Sequence, residues 1–211
     1  MNSLGDAFGY AFKDPKWVEK ILVQGLILII PIVGWIAAAG WLMITFDNLR
    51  SGRLELAPAG FHLRQGIGLF GVVLIYSVVV AIPGGVLAGI GSAAVGQSRA
   101  AAASASSLGS LINFAGQLLI DFLLPSLIVM THHYGFAGGM DVPRVWALAT
   151  RNVGNSVIGG LILLAAGIIG WVGVFACCIG LFFTAIYGLS ISAGAAAWFE
   201  RQQSAPSLPA T

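Results

Sequence analysis

Residues 152–199 run for 48 positions without one Asp, Glu, Lys or Arg. Two further runs share this property, residues 21–46 over 26 positions and residues 66–98 over 33. A helix rises about 1.5 Å per residue, and about 20 apolar residues cross a bilayer core. The longest run must therefore hold two spans and a tight turn, and the 33-residue run one long or tilted span. Barrel strands would alternate polar and apolar residues, which these runs do not, so an all-α polytopic transmembrane bundle is predicted. Charged residues make up 9% of the chain, against about a quarter in soluble domains. A net charge of +2, scattered along the chain, gives no surface for nucleic acid.

The cations decide between two topologies. If the first apolar run turns back on itself, nine of the ten Lys and Arg residues share one side and only Arg99 is left for the other. If residues 21–46 are one tilted helix, four cations oppose six. Short loops carrying Lys and Arg stay cytoplasmic, so the strong bias is preferred. The expected fold is three membrane hairpins with both termini cytoplasmic, five spans being the alternative. Its six segments are about 15–30, 35–50, 65–95, 108–130, 154–174 and 177–199. The first pair turns near Pro31 to Gly34, where proline removes a helical hydrogen bond, and is short enough to be re-entrant. Residues 1–201 form one membrane domain. The Ala/Ser-rich link at 97–107 is an outer loop, and 202–211 is a disordered tail.

Residues 21–33 followed by Ala37-Ala38-Ala39 imitate a secretory signal, but twenty residues precede them in which three acids cancel three lysines. Two stretches repeat. Asp14-Pro15-Lys16-Trp17, Gly25-Leu26-Ile27-Leu28 and Gly34-Trp35 find counterparts in Asp141 to Trp146, Gly160-Leu161-Ile162-Leu163 and Gly170-Trp171. Such repeats are common in transport-type membrane folds. Residues 142–152 suit a helix lying in the interface, with Val145, Trp146 and Leu148 on its apolar side.

Asn113, Gln117 and Asp121 follow one another by four and share a helical face, which Pro125 extends. An intramembrane carboxylate costs about 2.5–3.5 kcal/mol on insertion scales. The face either lines a cavity or proton path, or makes a helix–helix contact. The contact is favoured, because no embedded Lys or Arg is available to pair with Asp121. Gly180, Thr184, Gly188, Ser192 and Ala196 repeat the same spacing with small side chains and form a packing face. Tyr187 and Ser190 lie on the same helix and could meet the Asp121 row. Arg50, Arg53, Arg64, Arg144 and Arg151 either hold anionic lipid headgroups or simply enforce topology.

Metal and catalytic chemistry find little footing. His132 and His133 are adjacent, their side chains diverge on a helix, and no acid lies at useful spacing along the sequence, so interfacial solvation is expected. Cys177 and Cys178 are adjacent and read as buried packing residues. No nucleophile–base pair, phosphate loop or paired carboxylate emerges, and no cofactor or metal is expected.

The segments Phe12-Lys13-Asp14-Pro15-Lys16-Trp17, Leu28-Ile29-Ile30-Pro31-Ile32-Val33-Gly34 and Asn48-Leu49-Arg50-Ser51-Gly52 resemble an uncharacterised bacterial and archaeal membrane family. It is the domain-of-unknown-function family four-zero-one-three. Cys178-Ile179-Gly180 and Tyr187-Gly188 are also similar to its end pattern. The family's acidic, tryptophan-containing segment after the loop proline is replaced by Ala59-Gly60-Phe61-His62. The resemblance implies a multipass inner-membrane protein and no particular activity. The expected role is a non-enzymatic accessory or scaffold subunit whose partners are membrane lipids and other membrane subunits or itself. A transporter or lipid-handling component using the Asp121 face is the alternative.

Overall fold

A computed structural model describes residues 5–93, 99–173 and 177–204, and every described element is helical. A short α1 (Gly5–Gly9) and a 3-10 turn (Tyr10–Lys13) precede α2 (Trp17–Leu28) and α3 (Val33–Arg50). Then come α4 (Leu63–Ala93), α5 (Arg99–Met140), α6 (Val142–Arg151), α7 (Val153–Val172) and α8 (Cys177–Ser204). Among the described residues, four stretches are long and apolar enough to cross a membrane: Leu63–Ala93, Ala103–Met140, Val153–Gly170 and Gly180–Gln203. The twelve residues of α2 give a helix only about 18 Å long. The end of α3 carries Asp47, Asn48 and Arg50.

Two expectations change. Residues 99–107 are helical, because a run of alanines favours helix over loop; Gln97 and Ser98 lie outside the described residues. Helix α8 continues to Ser204, three residues past Arg201, and 205–211 lie outside the described residues, as do 174–176.

The chain divides into a larger unit, Met1–Val72 with Phe122–Thr211, and a smaller one, Val73–Asp121. In the larger unit α8 is the central element. Its Ala193, Ala195, Ala196, Ala197 and Phe199 are fully buried, because methyl-sized side chains let neighbours approach closely. The N-terminal segment lies on it, with the Tyr10 hydroxyl donating to the Ser190 carbonyl at 2.7 Å and the Tyr187 hydroxyl to Phe8 at 2.8 Å. Ile162, Leu163 and Ala166 of α7 join Ile191 and Ala195 of α8 in an apolar core.

Helix α2 ends where Pro31 has no N–H for the Ile27 carbonyl; Ile30 N donates to it instead, at 3.1 Å. Ile32 takes a left-handed φ of 64°, and α3 starts back against α2. Gly34 permits this, since a side chain there would run into the Ile27 carbonyl and Leu28. The break thus falls at 29–32, beside the proline and glycine that mark it in the sequence.

Residues 53–62 contain no helix yet bury Leu56 and Ala57. Buried backbone polar groups must find partners, and here side chains of α2, of α3 and of Asp14 just before α2 supply them. Leu56 N donates to Asp14 Oδ2 at 3.0 Å and Ala57 N to Thr45 Oγ1 at 3.1 Å. Trp41 Nε1 donates to the Ala57 carbonyl at 3.0 Å, and Gly60 N donates to Gln24 Oε1 at 3.0 Å. Helix α4 then enters by crossing α3 backbone to backbone, Gly66 lying against Gly40 and the Ile36 carbonyl.

In the smaller unit α4 and α5 meet through Gly84 and Gly109, and through Val80 and Gly116. Val73 to Ala93 is about 31 Å of helix, the thickness of a hydrocarbon core. Val78, Val79, Ile82, Val86 and Ile90 of α4 and Leu111, Phe114 and Leu118 of α5 point outward.

Candidate functional site

The polar row of α5 belongs to the smaller unit. Gln117 Nε2 donates to Asp121 Oδ1 at 3.1 Å, as side chains four apart on a helix can. Asn113 lies over Gly84 of α4, its amide oxygen occupying the space a Cβ would take. Asn113 and Gln117 are exposed and Asp121 is half-buried. Pro125 belongs to the larger unit and packs against Gly159 of α7, where a Cβ would meet its ring at 3.1 Å. In the larger unit the Tyr187 hydroxyl donates to the Phe8 carbonyl and the Ser190 carbonyl accepts from the Tyr10 hydroxyl.

The small-residue row of α8 faces α7. Thr184 Oγ1 donates to the Gly170 carbonyl at 2.7 Å, and Gly188 lies against the Ala166 carbonyl. Ser192 Oγ donates to the Gly188 carbonyl at 3.0 Å, and Ala196 is fully buried. Gly180 lies beside Gly173. The side chains of Cys177 and Cys178 lie outside the described residues.

The arginines have different surroundings. Arg50 Nε pairs with Glu200 Oε1 at 3.2 Å and Arg144 Nε with Asp141 Oδ2 at 3.0 Å. Arg53 Nε reaches Ser51 Oγ at 3.3 Å, and Arg64 is exposed on the first turn of α4. Arg151 lines a cleft of about 430 Å³ with Met130, Tyr134, Leu148 and Phe199.

The expectation that His132 and His133 lack acidic partners is corrected. His133 Nε2 lies 2.7 Å from Glu200 Oε1, and His132 Nε2 lies 3.4 Å from Asp47 Oδ1. The acids come from α8 and α3, so spacing along α5 could not reveal them. A signal was present all the same. Asp47 with Arg50, and Glu200 with Arg201, each close a charge-free run, and charges bounding spans on one side can meet. A second cleft of about 400 Å³, lined by Met43, Asp47, Gln65, Thr131 and His132, borders this cluster. Among the described residues no three His, Cys, Asp or Glu side chains are placed to hold a metal ion.

Asp14 matters more than its motif suggested. It is 2% exposed, and Lys20 Nζ donates to its Oδ2 at 2.7 Å while Lys16 N donates to Oδ1 at 2.9 Å. Lys20 Nζ also donates to the Leu56 carbonyl at 2.7 Å. Burial pushes the carboxyl up, but the Lys20 bond and the amides of Lys16 and Leu56 outweigh it and hold Asp14 below its ordinary value. Burial pushes the Tyr10 phenol well above its ordinary range.

A family model described as "Protein of unknown function (DUF4013)" matches residues 23–179. The match contains Pro31 to Gly34 and Asn48 to Gly52 and leaves out Asp14 to Trp17. No curated protein and no solved structure matches the chain.

Proposed function

This chain belongs to the family described as Protein of unknown function (DUF4013), and on that premise we propose that it is a non-enzymatic subunit packing beside other membrane proteins as an accessory or scaffold. Its apolar helices make it a membrane protein. In the proposed arrangement α2 and α3 form a re-entrant hairpin and the other four long helices complete two spanning hairpins. Both termini face the cytoplasm and the host membrane is the cytoplasmic (inner) membrane. The cation distribution supports that orientation. Arg53, Arg64 and Arg151 suit anionic headgroups at the inner interface.

One observation carries the reading. The hairpin of the smaller unit presents Gln117 and Asn113 on a surface that also exposes valine, isoleucine, leucine and phenylalanine side chains. Hydrocarbon is a poor neighbour for amides, whereas another helix can satisfy them. The transport alternative uses the same face. Extraction of the tagged protein from its native membrane in mild detergent tests the proposal. The expected result is comigration with further membrane polypeptide at fixed stoichiometry. Migration as a lone monomer under every mild condition contradicts it.

A further inference from the structure

We propose that the stripe Ser106, Ser110, Asn113, Gln117 and Asp121 on α5 is the contact face for a second copy of this chain, the two stripes meeting about a twofold axis along the membrane normal. The inference rests on the packing role proposed above and names the partner.

The five residues follow one another by four, three, four and four, which places them within about 80° of the helix circumference. The stripe is about 22 Å long. Ser106 and Ser110 are exposed, and the Ser110 hydroxyl donates to the Ser106 carbonyl at 3.0 Å. A serine satisfied by its own helix is small and demands nothing of a neighbour, so two backbones can approach there. Leu111, Phe114 and Leu118 are exposed on the flank of the stripe and would seal the contact against lipid.

Hydrogen-bond inventory selects the occupant. Within the chain, Gln117 uses one amide hydrogen on Asp121 Oδ1. Gln117 then offers one further amide hydrogen, beside those of Asn113, and Asp121 Oδ2 needs a donor. Across a twofold axis the Gln117 and Asp121 needs cancel one to one, Gln117 of each copy donating to Asp121 of the other. A protonated Asp121 would donate to the Gln117 oxygen of the other copy, so the pairing survives either protonation state. A partner of different sequence would have to bring its own donor at this depth. A second copy brings it by symmetry.

Oxidative cross-linking in native membranes tests this, using full-length protein with Cys177→Ser and Cys178→Ser. Ser110→Cys is expected to give a disulfide-linked species of twice the chain mass, while Ile82→Cys, exposed on α4, gives little. Adding Gln117→Leu and Asp121→Leu should lower the Ser110→Cys dimer about fivefold to tenfold, the size of effect that polar contacts between spans produce. Equal yields from Ser110→Cys and Ile82→Cys, or a dimer indifferent to the two leucines, overturn the proposal. Cross-linking of Ser110→Cys only to a different polypeptide overturns the second copy and leaves the accessory role standing. No cross-link together with lone-monomer migration removes both.

Discussion

Asp14→Ala is expected to destabilise the larger unit by about 3–5 kcal/mol, the cost of stripping one partner from a buried ion pair. The Asp14 side chain is 3% exposed and that of Lys20 19%, so water screens the pair weakly. Its loss would leave the Lys20 ammonium with the Leu56 carbonyl alone and the Leu56 amide with no acceptor. Residues 53–62 would keep their bonds to Lys20 and Gln24 of α2 but lose the one to Asp14. Denaturant unfolding in mild detergent reads the difference. Its pH dependence has a definite sign. Folding holds the carboxyl below the ordinary aspartate value of 3.8, so the unfolded chain takes up the proton first. The stabilisation is complete above that value and is lost as pH falls through the lowered folded value. The gap between wild type and Asp14→Ala is therefore widest near neutrality and narrows well below pH 3.8.

Gly66→Val is expected to be nearly as damaging. A Cβ at Gly66 would collide with the Ile36 carbonyl and lie 2.6 Å from Gly40 N. Both obstacles are backbone, so no rotamer change relieves them. Overpacking costs about 1–3 kcal/mol, occasionally more, and a backbone crossing belongs at the upper end. The folded fraction should fall sharply by protease resistance in detergent. Gly85→Ala on the same helix meets nothing within 4 Å and should gain up to about 1 kcal/mol from helix propensity. Equal effects at the two glycines would contradict the crossing.

Charge-free runs made the apolar helices legible, because hydrocarbon tolerates few ions and a helix has a fixed rise. Pro31 and Gly34 likewise marked the first turn through local chemistry. What stayed hidden depends on distant partners. The buried segment after α3 is held by Asp14, Gln24, Trp41 and Thr45, residues up to 42 positions away, and nothing in its own composition announces burial. His133 and Glu200 are 67 positions apart. The repeat has a shared local basis, since Asp14 accepts from Lys16 N and Asp141 from Arg144 N just ahead of their helices. The copies then diverge. Trp17 and Gly25 share α2, whereas Trp146 lies on α6 and Gly160 on α7, separated by a break at Asn152. The Asn113, Gln117 and Asp121 row was readable as a row, but its position over Gly84 required the partner helix.

Beneath all of this lies the reversal at residues 29–32, which brings the carboxylate before α2 to the backbone after α3. Lys13 and Arg53 flank that reversal and are exposed. Each can carry a single engineered cysteine in a background with Cys177→Ser and Cys178→Ser. A membrane-impermeant thiol reagent applied to sealed vesicles of either orientation should label both positions from the same face. Labelling of Lys13→Cys and Arg53→Cys from opposite faces would mean that residues 21–46 cross once, contrary to the reversal.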